Sequence, residues 1–195
     1  GNIAQQIERC RRQEVVAIDQ SWVCSVAREQ KLEKIVAPDG NKIDPRHRAE
    51  YEARAELYVN ELRTLHVWIQ KQVNAIPAEK RILVTSHDAF NYFGRAYDFQ
   101  VVGLQGISTV EEVSLASMAQ LVDFVKKNQV KAIFIESSVP PNAIKRISQD
   151  AGVKIGGELF SDAMGTPGQM ENGYDLGTYE GMIKHNLTTI VNALK

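Results

Sequence analysis

Between Tyr51 and Ile69 the apolar and aromatic positions recur at steps of four, three, four, three and four residues: Tyr51, Ala55, Tyr58, Leu62, Leu65 and Ile69. An α-helix brings positions three and four apart onto one side, so this spacing predicts a single stripe on a long helix. The helix is expected to open after Asp44-Pro45, run to about Ala75 and stop ahead of Pro77, because proline disfavours helical backbone in the residue before it. From Arg81 the pattern changes. Short apolar runs at Ile82 to Thr85, Gln100 to Leu104, Ala132 to Glu136 and the glycine-rich Val153 to Leu159 alternate with helical segments. Those segments are Asp88 to Tyr97, Ser114 to Asn128 and Pro140 to Ala151, with a final helix from about Gly177 to Leu194. Such alternation predicts an α/β fold, a parallel sheet with helices on both faces, preceded here by the long helix. Pro140 and Pro141 suit the first turn of a helix, and Ser108 and Thr109, each with a glutamate three residues on, read as capping boxes.

Three segments follow: an atypical N-terminal stretch over 1–43, the long helix over 44–76 and an α/β lobe over 77–195. The first of these has a polar, arginine-rich start, an apolar patch around Val15 to Val26 and a charged stretch ending in the turn residues Pro38-Asp39-Gly40-Asn41. With 195 residues, 44% of them hydrophobic, the chain can bury one sizeable core, or one core plus a helical appendage, but not two complete lobes. A net charge of -1, a pI near 6.5 and dispersed basic residues argue against nucleic acid as a partner. No run is long enough to span a bilayer, and the start lacks the basic-then-apolar pattern of a signal peptide. The expectation is a cytoplasmic chain or one whose export signal has been removed. Cys10 and Cys24 cannot form a disulfide framework and read as ordinary thiols, a single bridge being tolerable only in an oxidising compartment.

In an open parallel sheet, ligands bind beyond the carboxyl ends of the strands. The first run leads into Ser86-His87-Asp88, the second into Gln105-Gly106-Ile107-Ser108, the third into Glu136-Ser137-Ser138, and the fourth through Phe160-Ser161 to Asp162. One imidazole and several carboxylates thus reach the same edge, and these are donors suited to zinc and acceptable to manganese. The plainer alternatives are a capping or hydrogen-bonding His87, a turn aspartate at Asp162 and a buried Glu136 satisfied by backbone amides. Zincin, phosphate-loop, nucleophile-elbow and dinucleotide motifs are absent, and Gly103-Leu104-Gln105-Gly106 reads as a turn. His47 and His66 belong to the solvated side of the long helix, and His185 to a helix as a hydrogen-bonded structural residue.

From Asp44 to Lys195 the chain resembles the TroA-type metal-binding solute-binding proteins of bacterial ABC importers. The resemblance is carried by Arg81 to Phe93, Gly103 to Thr109, Ala132 to Val139, Gly156 to Gly165 and Gly177 to Asn186. It implies a C-terminal lobe joined to a backbone helix, with metal held between two lobes by two side chains from each. His87 and Asp162 match the two ligands of the C-terminal lobe, and Glu136 matches an acidic residue just behind them. A histidine at the His87 position is usual in zinc receptors and a glutamate in manganese receptors, so zinc is favoured, with manganese or iron as alternatives. Nothing before the long helix resembles an N-terminal lobe, and the Asp-Pro-His segment that carries one of its ligands is missing. Asp44-Pro45-Arg46-His47 and Leu65-His66 are only superficial echoes.

The implied function is extracytoplasmic capture of a divalent metal for delivery to the membrane permease of an ABC importer, without catalysis. A two-donor half-site predicts weak binding unless water, a second copy of the chain or His47 completes the shell. The competing readings are a metal-free α/β interaction or dimerisation module, and a metal-dependent hydrolase using His87, Asp162 and Glu136.

Overall fold

The computed structural model describes residues 44–106 and 113–195. The chain divides into two compact units, Gly1–His66 and Val67–Lys195, with the boundary inside the long helix α1, Arg48–Val73. In the first unit Asp44 opens the helix. Its Oδ2 lies 2.8 Å from His47 Nδ1 and accepts a 3.3 Å hydrogen bond from the Tyr51 hydroxyl, and the His47 contact above all holds this carboxyl below the usual carboxylate range. Ala55, Val59, Leu62 and Leu65 are buried, as are Ile69 and Val73 in the second unit, whereas Tyr51 and Tyr58 are only half-buried. The stripe therefore exists but is centred one position away from its two tyrosines. His66 is half-buried rather than fully solvated, and burial depresses its basicity. The expected capping residues Ser108 and Thr109, like Cys10 and Cys24, lie outside the described residues.

The second unit continues as β1 (Ile82–His87), α2 (Asn91–Tyr97), β2 (Gln100–Gln105), α3 (Leu115–Lys127), β3 (Ala132–Glu136), α4 (Asn142–Ala151), β4 (Lys154–Leu159), the hairpin β5 (Met170–Glu171) and β6 (Tyr174–Asp175), and α5 (Tyr179–Leu194). Four strands form one parallel sheet in the order β2-β1-β3-β4. Helices start where side chains satisfy their free N–H groups: Ser114 Oγ accepts from Ser117 N–H at 3.0 Å, and Thr178 Oγ1 from Gly181 N–H at 3.0 Å. Pro141 precedes the first residue of α4 rather than filling its first turn. Gly103, expected in a turn, is paired in β2 opposite Thr85. The reason is close approach: a Cβ at Gly103 would stand 2.9 Å from the backbone nitrogen of Asp88, so glycine lets β2 run beneath the end of β1.

Strand residues alternate between two cores. Val84 and Ile133 pack with Leu121 and Val125 of α3 and Ile144 and Ile147 of α4. On the opposite face Phe134, fully buried, lies where a Cβ on Gly156 would meet its ring at 2.6 Å and Ala193 of α5 at 2.7 Å. Gly156→Ala is therefore expected to overpack the β3–β4–α5 layer and cost about 1–3 kcal/mol, read as a lower urea midpoint at unchanged slope.

Candidate metal centre

The connection from β1 to β2 leads away from β3, whereas that from β2 to β3 crosses back over β1. The sheet thus changes winding direction between β1 and β3, and a crevice opens at the carboxyl ends of those two strands. His87 is the last residue of β1 and Glu136 the last of β3. Asp162 follows β4, the neighbour of β3. The three expected residues are brought together by this order of strands.

His87 is buried, and its imidazole is flanked by a carboxylate on each side. Glu136 Oε1 accepts the His87 backbone N–H at 2.9 Å, and Oε2 approaches His87 Nδ1 at 2.8 Å. That second approach is a close contact that falls short of an aligned hydrogen bond. Across the ring, Nε2 stands 3.2 Å from Asp162 Oδ2, and the Asp162 side chain is 58% exposed. The site is closed behind Glu136 and open beyond Asp162. Burial pushes the Glu136 carboxyl above the usual carboxylate range, opposed by the His87 amide and ring and by the hydroxyl of Ser161.

When Glu136 is ionised its carboxylate can only accept and favours the proton of a neutral His87 ring on the adjacent Nδ1, which leaves the lone pair of Nε2 toward Asp162. Two acceptors then face one another across 3.2 Å. The contact is favourable when a cation, a proton or a metal ion, lies between them. For a tetrahedral ion with zinc-like bonds to nitrogen and oxygen, the chord between the two donors is about 3.4 Å, and for a right angle about 2.9 Å. The observed separation falls between these values and suits either geometry. Among the described residues no three His, Cys, Asp or Glu side chains converge as a ligand set, and Glu136 Oε2 is turned toward Nδ1.

Glu136→Gln separates support from stability. The amide would offer N–H to Nδ1, moving the ring proton to Nε2, where it blocks a metal, so affinity is expected to fall about 10- to 100-fold. In the metal-free protein, a carboxyl whose folded value is raised stabilises the fold below its unfolded value and loses that contribution as pH rises through the folded one. Wild type and Glu136→Gln should therefore have similar melting temperatures in acid, and the variant should be the more stable near pH 7.

The other histidines are elsewhere. His47 contacts Asp44, and His185 of α5 lies 2.8 Å from Glu171 Oε1 and 3.0 Å from the Glu158 carbonyl, the structural role expected of it. The hairpin that supplies Glu171 was missed at the sequence level, although Asn172-Gly173, both at positive φ, is a strong two-residue turn signal. Also missed was Asn186, whose side chain binds the backbone of Phe160 twice.

Residues 21–193 match the family described as ZnuA, zinc-uptake complex component A, periplasmic, so the match begins upstream of Asp44. Over 160 residues the chain is 44% identical to the manganese-binding lipoprotein MntA of Bacillus subtilis (strain 168), covering 80% of this chain and 51% of that protein. It is 46% identical over 158 residues to the zinc-binding protein TroA of Treponema pallidum (strain Nichols), covering 78% and 50% respectively. The chain spans about half the length of these curated relatives. A solved structure of the periplasmic zinc-binding protein TroA from Treponema pallidum superposes with a TM-score of 0.79 at 40% identity, over 90% of this chain and 64% of that one. A parallel sheet wound about the β1/β3 crevice, a histidine and aspartate meeting at its mouth and a family match over most of the length make this chain a member of the ZnuA family of periplasmic zinc-uptake components.

Proposed function

We propose that this chain is the metal-binding C-terminal lobe, with its backbone helix, of an extracytoplasmic receptor that captures a divalent metal ion for an ABC importer. Residues 44–76 serve as the backbone helix and 77–195 as the lobe. His87 Nε2 and Asp162 Oδ2 are the two metal donors, and Glu136 holds the His87 ring with its proton on Nδ1. Zinc is the cargo proposed, with manganese and iron as alternatives, since the relatives named above include both a zinc-binding and a manganese-binding protein. The partners proposed are the membrane permease of the importer and a second source of donors, either another lobe or a second copy of this chain.

The observation that carries this reading is the 3.2 Å approach of two acceptors, one of them on a ring backed by a buried carboxylate. Transport rather than catalysis is the proposed use, because the donors come from a receptor family and Glu136 is committed to His87 instead of facing an open metal position. Calorimetric titration of the metal-stripped chain with zinc, then manganese, tests it. Binding lost in His87→Ala and Asp162→Ala supports the site, and its stoichiometry tells whether one chain or two hold the ion. Zinc binding unaffected by both substitutions would overturn the assignment, and so would no binding up to millimolar zinc in a chain shown to be folded.

A further inference from the structure

The β3–β4 ladder ends where Ser137 N–H donates to the Leu159 carbonyl at 3.0 Å. Phe160, the next residue, has no strand partner, yet neither of its backbone groups is left open. Its N–H donates to Asn186 Oδ1 at 2.8 Å, and Asn186 Nδ2 donates to its carbonyl at 2.7 Å. A residue of a neighbouring antiparallel strand exchanges the same pair of bonds, so the Asn186 amide takes the place of a strand for one residue. Asn186 itself is 4% exposed. Its neighbour His185 lies 3.0 Å from the Glu158 carbonyl through Nε2 and packs at a tilt against Phe160, with ring centroids 5.0 Å apart. From the other side, Ser138 Oγ lies 2.7 Å from Ser161 Oγ. Asp162 is the first residue beyond these clamps. It is exposed, and its own carboxylate contacts only the ring of His87 among the ion pairs described.

We infer that Asn186 is a positioning residue for the metal site: by fixing the backbone of Phe160 it sets the direction from which Asp162 meets His87. The inference rests on Asp162 being a donor, and it assigns to α5, an element remote from the strand ends in sequence, control over one half of the ligand pair. An exposed aspartate on an unclamped loop would sample many positions, and the entropy of ordering it would be charged against metal affinity.

The test follows the amides of His87 and Asp162 by nuclear magnetic resonance as zinc is added to the full chain. In the wild type both should shift along one binding curve. In Asn186→Ala zinc affinity should fall about ten-fold, the lower end of losses for groups that orient ligands, and the Asp162 shift should shrink relative to that of His87. Asn186→Asp, of the same size and keeping the acceptor for Phe160 N–H, should also weaken binding, because an oxygen replaces the donor to the Phe160 carbonyl, and the dispersion of the amide spectrum shows for each variant that the chain is folded. Val125→Ala, buried at the opposite end of the sheet, lowers stability without touching this clamp and should bind zinc as the wild type does. Wild-type affinity with coupled shifts in both Asn186 variants would overturn the inference and leave the metal site standing. An equal loss in Val125→Ala would overturn it as well, as an effect of stability alone. If neither amide shifts in the wild type, the metal-site reading falls, and the inference with it.

Discussion

His87→Ala is expected to remove the thermal stabilisation that zinc confers while leaving a folded chain. A ligand that binds only the folded state raises stability by RT ln(1 + [L]/Kd), about 2.7 kcal/mol at a hundred-fold excess over Kd, so zinc should raise the melting temperature of the wild type. Without the imidazole, Asp162 is a lone exposed carboxylate and the increment should vanish. The fold should survive because Glu136, left beside the vacated space, keeps the backbone N–H of residue 87 and, already shifted toward its neutral form by burial, can take up a proton. Asp162→Ala isolates the chemical effect more cleanly. The side chain is exposed, so metal-free stability should change by no more than about 0.5 kcal/mol, while zinc stabilisation is lost equally. Acid should weaken binding in the wild type, because a proton competes for the same place between Nε2 and Oδ2. Melting curves with and without zinc, at two pH values, check all of this, and a zinc increment that persists in both variants would put the metal somewhere else in the chain.

The largest loss of stability is expected from Phe134→Ala, about 3–5 kcal/mol, which for a unit of this size corresponds to a fall in melting temperature of about 10 °C or more. Phe134 is wholly buried at the middle of β3, against Gly156 of β4 and beneath Ala193 of α5. No neighbour can refill the space, since strands β1 and β4 on either side are fixed by backbone pairing. The same geometry predicts non-additivity. Gly156→Ala overpacks when the ring is present and fills part of the cavity when it is absent, so the double variant should be more stable than the sum of the single effects implies. Denaturant titrations of the four proteins measure that coupling, and strict additivity would mean that Gly156 and Phe134 do not share the layer.

The elements with strong local periodicity were legible without coordinates. The stripe of α1 needed only its three- and four-residue spacing and the four strands only their short apolar runs between helical segments, and the observed boundaries differ from the expected ones by a few residues at most. Gly103 misled because glycine marks both turns and close approaches, and only the packing of β2 under Asp88 decides between them. The hairpin at Asn172-Gly173 escaped because each of its strands is two residues long, too short for any repeat.

By itself, the order of residues determined that His87, Glu136 and Asp162 would be delivered to the carboxyl edge of a parallel sheet, because each follows an apolar run and every strand of such a sheet points the same way. Only the tertiary structure decided that they meet. The order β2-β1-β3-β4 is a choice among long-range pairings that leaves no periodic trace, and it sets His87 beside Glu136 with the strand that leads to Asp162 next to them. The same holds for Asn186, an ordinary helical residue until α5 lies against β4 and its amide binds the backbone of Phe160 just past the end of that strand. Local sequence dictates local hydrogen bonding, whereas contacts between residues 49 or 26 positions apart are dictated by how the finished layers pack.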